Sequence, residues 1–566
     1  MLFLAPKISK ANDSFVTDQT ISYTFDESGM AEVTHDIKLT NKLALVYAKD
    51  YILTLPVSIT DTIIATDANG NILQQVKTGP ESTQIFLHFD QPNIGKDATT
   101  EFQIHYKLLN LITQKGKTKE LLLPLSPQSD TTDIIITAPL SYGQIAYTSL
   151  SPSNQQSTPS METFEFRYTA ISKKILIAFG DNQIFDFDLS YFLDNPSDKT
   201  ITKEIAIPPS VDYQKVILKS INPPPLTINA DADGNWLAQY TLTPWQKLAI
   251  TVTGQVKIIN ESTKTSINPA DYLKSTNFWP TQAEAIKTIA ATLTTPRSIY
   301  DYVTTTLNYD YSQIDNATRK GALATLNAPN LSLCTDFTDL FVTLARAKGI
   351  PAREVEGYAY TNNPKIKPIN ENADILHAWP QYYDQTTKSW KSIDPTWGKT
   401  TNGIDFFTDL DLNHITFVIH GQSDSYPPPP GSYRGSNNQK TVNISFATNE
   451  IHPNILPLSI VNQTIINPNT VAINHLKLTS SNPPWSQKID MLPPFSHFKI
   501  AMPSPNFPQI ILPSAKSTAL QLMYDETDLP QTIIITNQQH YLYLSIAIAT
   551  TIVILCLCGI LITKHK

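Results

Sequence analysis

The sequence predicts a multidomain, mostly β protein with a central α+β domain, a further β domain after it, and a single C-terminal transmembrane helix. Three observations support this prediction. Apolar and polar residues alternate with period two through much of 18–255 and again through much of 441–536. Apolar residues at helical spacing replace that alternation between about 281 and 349. The stretch 541–563 carries no charged side chain.

The N-terminal part of the chain has the pattern of antiparallel strands. Ala31–Leu39 and Thr100–Leu108 alternate apolar and polar side chains, as half-buried strands do. Turn dipeptides such as Asn69-Gly70 separate these runs, and this dipeptide favours a tight hairpin. We therefore predict two β-sandwich-like domains, at 1–130 and 131–270.

The pattern changes to helices followed by strands between 275 and 421. Thr281 and Glu284 have the spacing of a capping box at the start of the first helix. The predicted helices are Thr281–Leu293, Arg297–Leu307 and a third from Cys334 to a stop at Gly349. The predicted strands are Arg353–Tyr360, Leu376–Tyr383 and Ser389–Ile393. This order predicts an α+β domain at 275–421.

The C-terminal part is predicted to tether the chain to a membrane. A Pro/Gly/Ser-rich stretch at 422–440 is typical of a linker, and 441–536 is predicted to be a C-terminal β-sandwich. As a helix, 541–563 would measure roughly 34 Å, enough to cross a bilayer core of ~30 Å. The basic residues 564–566 place the C-terminus in the cytoplasm, so that most of the chain lies outside the cytoplasm.

The first residues of the chain do not match a complete signal peptide for export. The first residues, MLFLAPKISKANDS, have fewer apolar residues before Lys7 than the core of a signal peptide requires. Either the start codon is misplaced, or a signal has been removed or truncated, or the protein is tail-anchored and faces the cytoplasm. The second arrangement places Lys564 and Lys566 outside, which the positive-inside rule disfavours.

Composition excludes several classes of protein. The net charge is −8 without a long basic run, so we predict no nucleic-acid binding. Of three cysteines, Cys556 and Cys558 lie within the predicted membrane helix, which leaves Cys334 alone in the rest of the chain. A disulfide-stabilised scaffold is therefore excluded. No His/Cys/Asp spacing predicts a metal site, no acidic loop predicts calcium binding, and we predict no cofactor.

Three residues have the chemistry of a cysteine-dependent triad. Cys334 begins an amphipathic helix, where unpaired backbone N–H groups favour a thiolate and can hold an oxyanion. His377 lies on a predicted strand and can move the thiol proton. Asp394 ends the next strand and can fix the imidazole tautomer. His414 and His420 have no evident companion in the sequence and are interpreted as surface or core residues.

These motifs resemble the transglutaminase-like superfamily, papain-fold proteins with the order Cys, His, Asp. Cys334 matches the family nucleophile, His377-Ala378-Trp379 its His-Ala-Trp motif, and Asp394-Pro395-Thr396-Trp397 its Asp-Pro-Thr-Trp motif. The stretch 345–353 also resembles the family's link between catalytic helix and first strand. The family often has glycine two residues before the cysteine, where this chain has Ser332. The resemblance implies a papain-like α+β domain with Cys334, His377 and Asp394 as its catalytic residues.

Two classes of function follow. The first is a membrane-anchored enzyme that forms a thioester on Cys334 from a peptide or protein amide, and then passes the acyl group to an amine or to water. The sequence does not distinguish transglutamination, deamidation and proteolysis. The second is an inactive cell-surface binding or assembly protein, built on β-sandwiches around a vestigial papain-like domain.

Overall fold

The computed structural model describes residues 14–535, with the following gaps: 92, 124–128, 169–174, 261–263, 317, 362, 370–375, 403, 409, 436–439, 462, 482–483, 501–517 and 526–530. Strands dominate the described residues, and the helices are concentrated between 284 and 400. The chain is therefore a β-rich multidomain protein with few helices, as the periodicity predicts. Among the described residues, no helix combines the length and apolar character needed to cross a bilayer. The predicted transmembrane segment 541–563 lies outside these residues.

The first sandwich contains fifteen described strands. They are β1 Phe15–Phe25, β2 Ala31–Asn41, β3 Asp50–Leu55, β4 Ile64–Asp67, β5 Gly70–Asn71, β6 Leu73–Thr78, β7 Thr83–His88, β8 Thr99–Leu108, β9 Ile112–Lys115, β10 Thr118–Leu122, β11 Thr131–Pro139, β12 Ile145–Thr148, β13 Asn154–Ser157, β14 Met161–Tyr168 and β15 Leu176–Phe179. One sheet has the order β13-β14-β11-β1-β2-β8-β4-β5, and it faces the sheets β12-β15-β10-β9 and β3-β7-β6. Alternate residues of β1 and β2 are buried, as period two requires.

Residue 130 does not separate two hydrophobic cores. Strand β11 pairs in parallel with β1, with Ile134 opposite Ile21. One apolar cluster extends from Ile21 to Phe179. The division into domains at 1–130 and 131–270 remains a prediction, and this pairing favours moving its first boundary to about residue 180.

The second sandwich packs against the α+β domain. Its strands are β16 Asn182–Asp194, β17 Ile201–Ile207, β18 Gln214–Asn222, β19 Thr227–Ala230, β20 Trp236–Leu242 and β21 Lys247–Ile259. Strands β17, β20 and β19 form one sheet, and β18, β21 and β16 belong to another. Its apolar core includes Tyr358, Ile415 and Phe417 of the α+β domain. The two units therefore share a core, and the sandwich supports the back of the sheet that carries the candidate site.

The described residues of the α+β domain form five α-helices and four strands. The helices are α1 Glu284–Thr292, α2 Pro296–Thr306, α3 Ala322–Asn327, α4 Cys334–Ala347 and α5 Pro395–Thr400. The strands are β22 Ala352–Ala359, β23 His377–Asp384, β24 Ser389–Ser392 and β25 His414–His420, in the sheet order β24-β23-β22-β25. Every residue of β22 and of β25 is buried, because helix α4 covers one face of the sheet and the second sandwich the other.

Local sequence signals predict helices α1, α2 and α4, but not α3 and α5. Thr295 caps α2 by accepting a hydrogen bond from the Ser298 N–H group, and Pro296 occupies the first turn. The capping box predicted at Thr281 and Glu284 is not formed. Helix α1 begins at Glu284 after Ala283, because the chain from Trp279 to Ala283 follows turns that place Thr281 outside the helix.

The remaining strands follow the α+β domain. They are β26 Val442–Phe446, β27 Ser459–Val461, β28 Thr464–Ile466, β29 Ile473–Ser481, β30 Pro484–Leu492, β31 His497–Lys499, β32 Thr518–Met523 and β33 Gln531–Ile535. Strand β26 joins the second sandwich beside β16, with Ile444 opposite Phe187. The other strands form the sheets β27-β28-β31 and β30-β29-β32-β33 around an apolar cluster of their own. The boundaries predicted for the linker and for the C-terminal β domain remain predictions.

Candidate active site

Cys334 is held at the N-terminus of α4 by contacts on both sides of it. The Asp336 carboxylate accepts a hydrogen bond from the Leu333 N–H group at 2.8 Å, which fixes the first turn. Asn308 and Asp310 donate backbone hydrogen bonds to the carbonyls of Pro329 and Ser332, each at 2.9 Å, and so fix the approach to the cysteine. The sulfur is therefore placed where the first N–H groups of the helix have no carbonyl partner within it.

His377 and Asp394 meet although 17 residues separate them. His377 begins β23, and Asp394 is the N-cap of α5. Nε2 of His377 lies 2.9 Å from Oδ2 of Asp394, and both side chains are fully buried. The other carboxylate oxygen of Asp394 accepts a hydrogen bond from the Trp397 N–H group at 2.9 Å, so the carboxylate is held from two directions.

The hydrogen bonds of Asp394 assign the tautomer of His377. An ionised carboxylate only accepts hydrogen bonds, so Nε2 of His377 carries the proton. In the neutral ring, Nδ1 then carries a lone pair and no proton. This atom has no hydrogen-bond partner among the described residues, although the Cys334 thiol interacts with the ring. The arrangement leaves Nδ1 free to take the thiol proton. The hydrogen bond between a nucleophile and its base commonly tightens only when substrate binds.

The three predicted residues form an electrostatically coupled series. Burial lowers the pKa of His377, but the charge and hydrogen bond of Asp394, and then the Cys334 thiol, more than offset it, so that this pKa is raised. Burial acts to raise the pKa of Asp394, but His377 and His414 lower it to about 2. Asp394 is therefore a carboxylate at neutral pH, and it favours the protonated form of His377.

Sequence reasoning missed a second histidine next to the triad. His414 is buried at the start of β25, and its Nε2 lies 3.3 Å from Oδ2 of Asp394. Its Nδ1 lies 2.8 Å from Oδ1 of Asp411, and Oδ2 of Asp411 accepts from Nζ of Lys367 at 3.0 Å. The interpretation of His414 as a residue without a companion is therefore wrong. The run HITFVIH that forms β25 was the available signal, since it has the apolar content of a buried strand.

A second buried cluster joins α4 to the sheet. Arg319 donates through Nε to Asp339 at 3.1 Å and through Nη2 to Glu354 at 2.7 Å. His420 faces Glu354 through Nδ1 at 3.2 Å and donates through Nε2 to the Pro427 carbonyl at 2.9 Å. His420 therefore also has partners, contrary to its interpretation from the sequence. The sequence around Arg319 does not indicate this cluster, because the partners of Arg319 come from distant segments of the chain.

Two groups of side chains have a spacing that could hold a metal ion. One is His377, Asp394 and His414, and the other is Glu354, Glu356 and His420. A metal in the first group would take the imidazole nitrogens that hydrogen-bond to Asp394. In the second group, the Arg319 guanidinium already supplies positive charge to the carboxylates. Neither donor set is therefore better suited to a metal than to the hydrogen bonds and ion pairs that it makes.

Tyr309 is a further side chain near the sulfur. It forms a bridge with Ser332, two residues before the cysteine. Burial, and then the charge of Cys334, raise the pKa of its phenol, which therefore keeps its proton at neutral pH. The charge of Cys334 acts on this phenol, so its protonated hydroxyl is a candidate donor to an oxyanion, for which the sequence suggested no side chain.

Comparison with known proteins identifies this domain. Residues 281–395 match the model of the transglutaminase-like superfamily, and this range contains Cys334, His377 and Asp394. The chain therefore contains a transglutaminase-like domain, as its motifs predict. A comparison with curated proteins finds no match.

Solved structures add only loose similarities. A candidate cysteine protease from Cytophaga hutchinsonii is 15% identical with a TM-score of 0.31, over 47% of this chain and 87% of that one. An M1 zinc metallopeptidase from Deinococcus radiodurans is 12% identical with a TM-score of 0.22, over 34% of this chain and 46% of that one. Structural similarities with TM-scores this low do not support a statement about function.

Proposed function

We propose that the transglutaminase-like domain is a cysteine acyltransferase or amide hydrolase that uses Cys334, His377 and Asp394. The observation that carries this proposal is the hydrogen bond from Nε2 of His377 to Asp394, which leaves the Nδ1 lone pair for the thiol. Each member of the triad is buried against the scaffold, so its position is fixed before substrate arrives.

The reaction proceeds in two steps. Nδ1 of His377 takes the Cys334 proton, and the thiolate attacks the carbonyl carbon of a carboxamide or peptide. The C–N bond breaks as His377 returns the proton to the leaving ammonia or amine, and a thioester remains on Cys334. An amine or water then attacks the thioester after giving a proton to His377, and the thiol re-forms with the acyl group transferred.

Donors at the start of α4 stabilise the oxyanion of each tetrahedral intermediate. Backbone N–H groups at this helix terminus are fixed before reaction, which makes them effective donors. The Tyr309 hydroxyl is the candidate second donor. Tyr309→Phe keeps the ring but removes this donor, and loss of an oxyanion donor typically lowers kcat by about 10²–10³-fold.

The first experiment measures the reactivity of Cys334 with iodoacetamide in the full chain. Mass spectrometry of the tryptic peptide 321–346 separates this thiol from Cys556 and Cys558. We expect alkylation much faster than that of free cysteine at pH 7, and slower alkylation in His377→Ala. An alkylation rate equal to that of free cysteine would contradict the proposal.

The second experiment follows acyl transfer itself. Wild type should incorporate a primary amine probe into a glutamine-containing protein, or hydrolyse peptide amides, and Cys334→Ala should do neither. The relative rates with amine and with water distinguish transglutamination from deamidation and proteolysis. Full activity in Cys334→Ala would show that the triad is not the catalytic site.

One observation favours a non-catalytic binding or assembly protein. Cys334 is only 8% exposed, so a substrate carbonyl must reach a largely covered sulfur. Tyr311 donates through its hydroxyl to the Lys365 carbonyl at 2.6 Å, which brings another loop close to the segment beside the cysteine. An alkylation rate at or below that of free cysteine, in a correctly folded chain, would favour this alternative.

The proposed location of the enzyme is the cell membrane. The uncharged stretch 541–563 and the basic residues after it support a single membrane span with most of the chain outside the cytoplasm. The full chain should then partition into the detergent phase, and a chain ending at residue 536 into the aqueous phase. Partition of both into the aqueous phase would contradict membrane anchoring.

A further inference from the structure

A second imidazole contacts the carboxylate of the triad. Oδ2 of Asp394 lies 2.9 Å from Nε2 of His377 and 3.3 Å from Nε2 of His414. The ring centroids of the two histidines are 5.7 Å apart, and the Trp397 ring packs against both, at 5.1 Å and 4.7 Å. The two histidines therefore share one carboxylate oxygen within a single buried aromatic environment.

The hydrogen bonds of His414 determine its protonation. Both of its ring nitrogens face carboxylate oxygens, Nε2 toward Asp394 and Nδ1 toward Asp411. An ionised carboxylate has no proton to donate, so each nitrogen must carry its own. A neutral imidazole would instead direct one lone pair at a carboxylate oxygen in a buried site. His414 is therefore an imidazolium, and its second carboxylate, Asp411, is paired with Lys367 at 3.0 Å.

The charges in this group balance. Asp394 and Asp411 contribute two negative charges, and His414 and Lys367 contribute two positive charges. The Lys367 ammonium also lies 4.7 Å from the centroid of the Trp397 ring. A fully buried charge is stable only when it is paired and hydrogen-bonded, and every member of this group meets that condition.

We propose that His414, held by Asp411 and Lys367, is a positioning residue for the Cys334–His377–Asp394 triad. It fixes the Asp394 carboxylate by a hydrogen bond, and its positive charge reduces the negative potential that Asp394 exerts on His377. The inference rests on the proposed function, because it concerns the proton balance of the same site. It assigns a role to three residues outside the family motifs found in the sequence.

The charged and titratable groups around His414 come from several elements. Asp394 and His377 face it from the start of α5 and of β23, and Asp411 from the loop before β25. Glu120 of β10 acts more remotely, since it contacts Asn413 at 3.0 Å and raises the pKa of Lys367. Tyr213 lines the same cavity of about 80 Å³ as His414 and Asp411. Burial lowers the pKa of His414, but Asp411 and Asp394 raise it above its usual value.

The test is the pH profile of Cys334 alkylation in the full chain, with His414→Gln as the variant. Glutamine retains an amide donor but cannot carry the positive charge. Two unit charges 5.7 Å apart, at an effective dielectric constant of about 20, shift a titration by at most about two pH units. We therefore expect the alkylation profile of His414→Gln to move to higher pH by about one to two units. Asp411→Asn should move the profile in the same direction, because His414 without its charged partner loses its proton and with it the positive charge.

His475→Gln is the matched control, since it makes the same substitution at a histidine whose side chain is 74% exposed. Its profile should coincide with that of wild type. A profile for folded His414→Gln that coincides with wild type, or that moves to lower pH, would overturn the proposal. So would a reduced rate at every pH without a shift, which is the result that a purely structural role predicts.

A measurement on the wild-type chain does not depend on the folding of any variant. Nitrogen-15 NMR of labelled histidine should show the buried rings of His414 and His420 protonated on both nitrogens at pH 7. The signal of His414 should be absent from Asp411→Asn and from His414→Gln, whereas that of His420 should remain. A His414 ring with one bare nitrogen at pH 7 would overturn the inference even if the thiol is activated. A wild-type Cys334 that reacts no faster than free cysteine would overturn the proposed function instead.

Discussion

Replacing Arg319 by methionine tests how the buried charges between α4 and the sheet contribute to stability. The Arg319 side chain is 11% exposed, and its partners Asp339 and Glu354 are fully buried. Its Nη1 also donates to the Asp424 carbonyl at 2.7 Å, and its guanidinium lies 4.4 Å from the centroid of the Phe278 ring. Methionine keeps much of the apolar packing, so the substitution removes chiefly the charge and its hydrogen bonds.

The expected loss of stability follows from what remains after the substitution. Asp339 keeps one hydrogen bond, from Nε1 of Trp279 at 2.8 Å, and Glu354 keeps the contact with His420. Breaking a buried ion pair by removing one partner costs about 3–5 kcal/mol, because the remaining charge is buried without compensation. A domain of this size loses about 2–4 °C in Tm per kcal/mol, so Tm should fall by roughly 6–20 °C.

The assay is thermal unfolding of the full chain followed by tryptophan fluorescence. Trp279 is a suitable reporter, because its indole is hydrogen-bonded to Asp339 within the cluster. Lys38→Met is the control. Lys38 forms an ion pair with Glu101 at 2.9 Å, with side chains 48% and 62% exposed, and exposed pairs contribute only about 0–1 kcal/mol.

A second substitution separates electrostatics from packing. In the Arg319→Met background, Asp339→Asn removes one unpaired buried charge and should recover part of the lost Tm. The same Asp339→Asn change in wild type should be destabilising, because it removes a partner of Arg319. A Tm for Arg319→Met within 2 °C of the Lys38→Met control would refute the reasoning, as would equal effects of Asp339→Asn in both backgrounds.

Three further predictions concern the sheet, its charges and the core. Gly357→Ala should disrupt β22 beside His377, the proposed catalytic base, because the added Cβ would lie 2.0 Å from the Ile415 carbonyl oxygen. We expect a lower Tm together with slower Cys334 alkylation, and an unchanged alkylation rate would contradict this. Stability should fall as pH rises from 6 to 9. Burial lowers the pKa of His420, but its carboxylate neighbours raise it to about 9, and burial raises the pKa of Glu356 to about 7. The folded chain therefore holds protons that the unfolded chain releases as the pH rises. A Tm that is constant or rises over this range would refute the prediction. Phe341→Ala removes a fully buried ring of the α4 core and should cost about 3–5 kcal/mol, measured by denaturant unfolding, and a loss below 1 kcal/mol would contradict the packing.

Much of the α+β domain could be predicted from local signals. Apolar residues at i, i+3 and i+4 after Cys334 predict helix α4, which is observed over Cys334–Ala347. The predicted strands Arg353–Tyr360 and Leu376–Tyr383 correspond to β22 and β23 within one residue at each end. These predictions succeed because burial of one face imposes a period on the sequence.

The site could be predicted only in part. The motif resemblance predicted Cys334, His377 and Asp394 as catalytic residues. The structure brings His377 and Asp394 into hydrogen-bonding contact, and the Cys334 thiol interacts with the His377 ring. His414 lies on a strand that was not predicted. No sequence period could identify its role, since that role depends on Asp411 and on the carboxylate of Asp394, 20 residues away.

The sequence by itself determined many of the strands, three of the helices, and which residue types could form a triad. The tertiary structure decided which of those residues meet. It placed β11 beside β1, shared one core between the second sandwich and β25, and surrounded Arg319 with carboxylates from α4 and β22. The physical reason is that local periodicity reports which side of an element is buried. Which partner covers that side depends on contacts between residues that are far apart in the chain, and folding alone selects them.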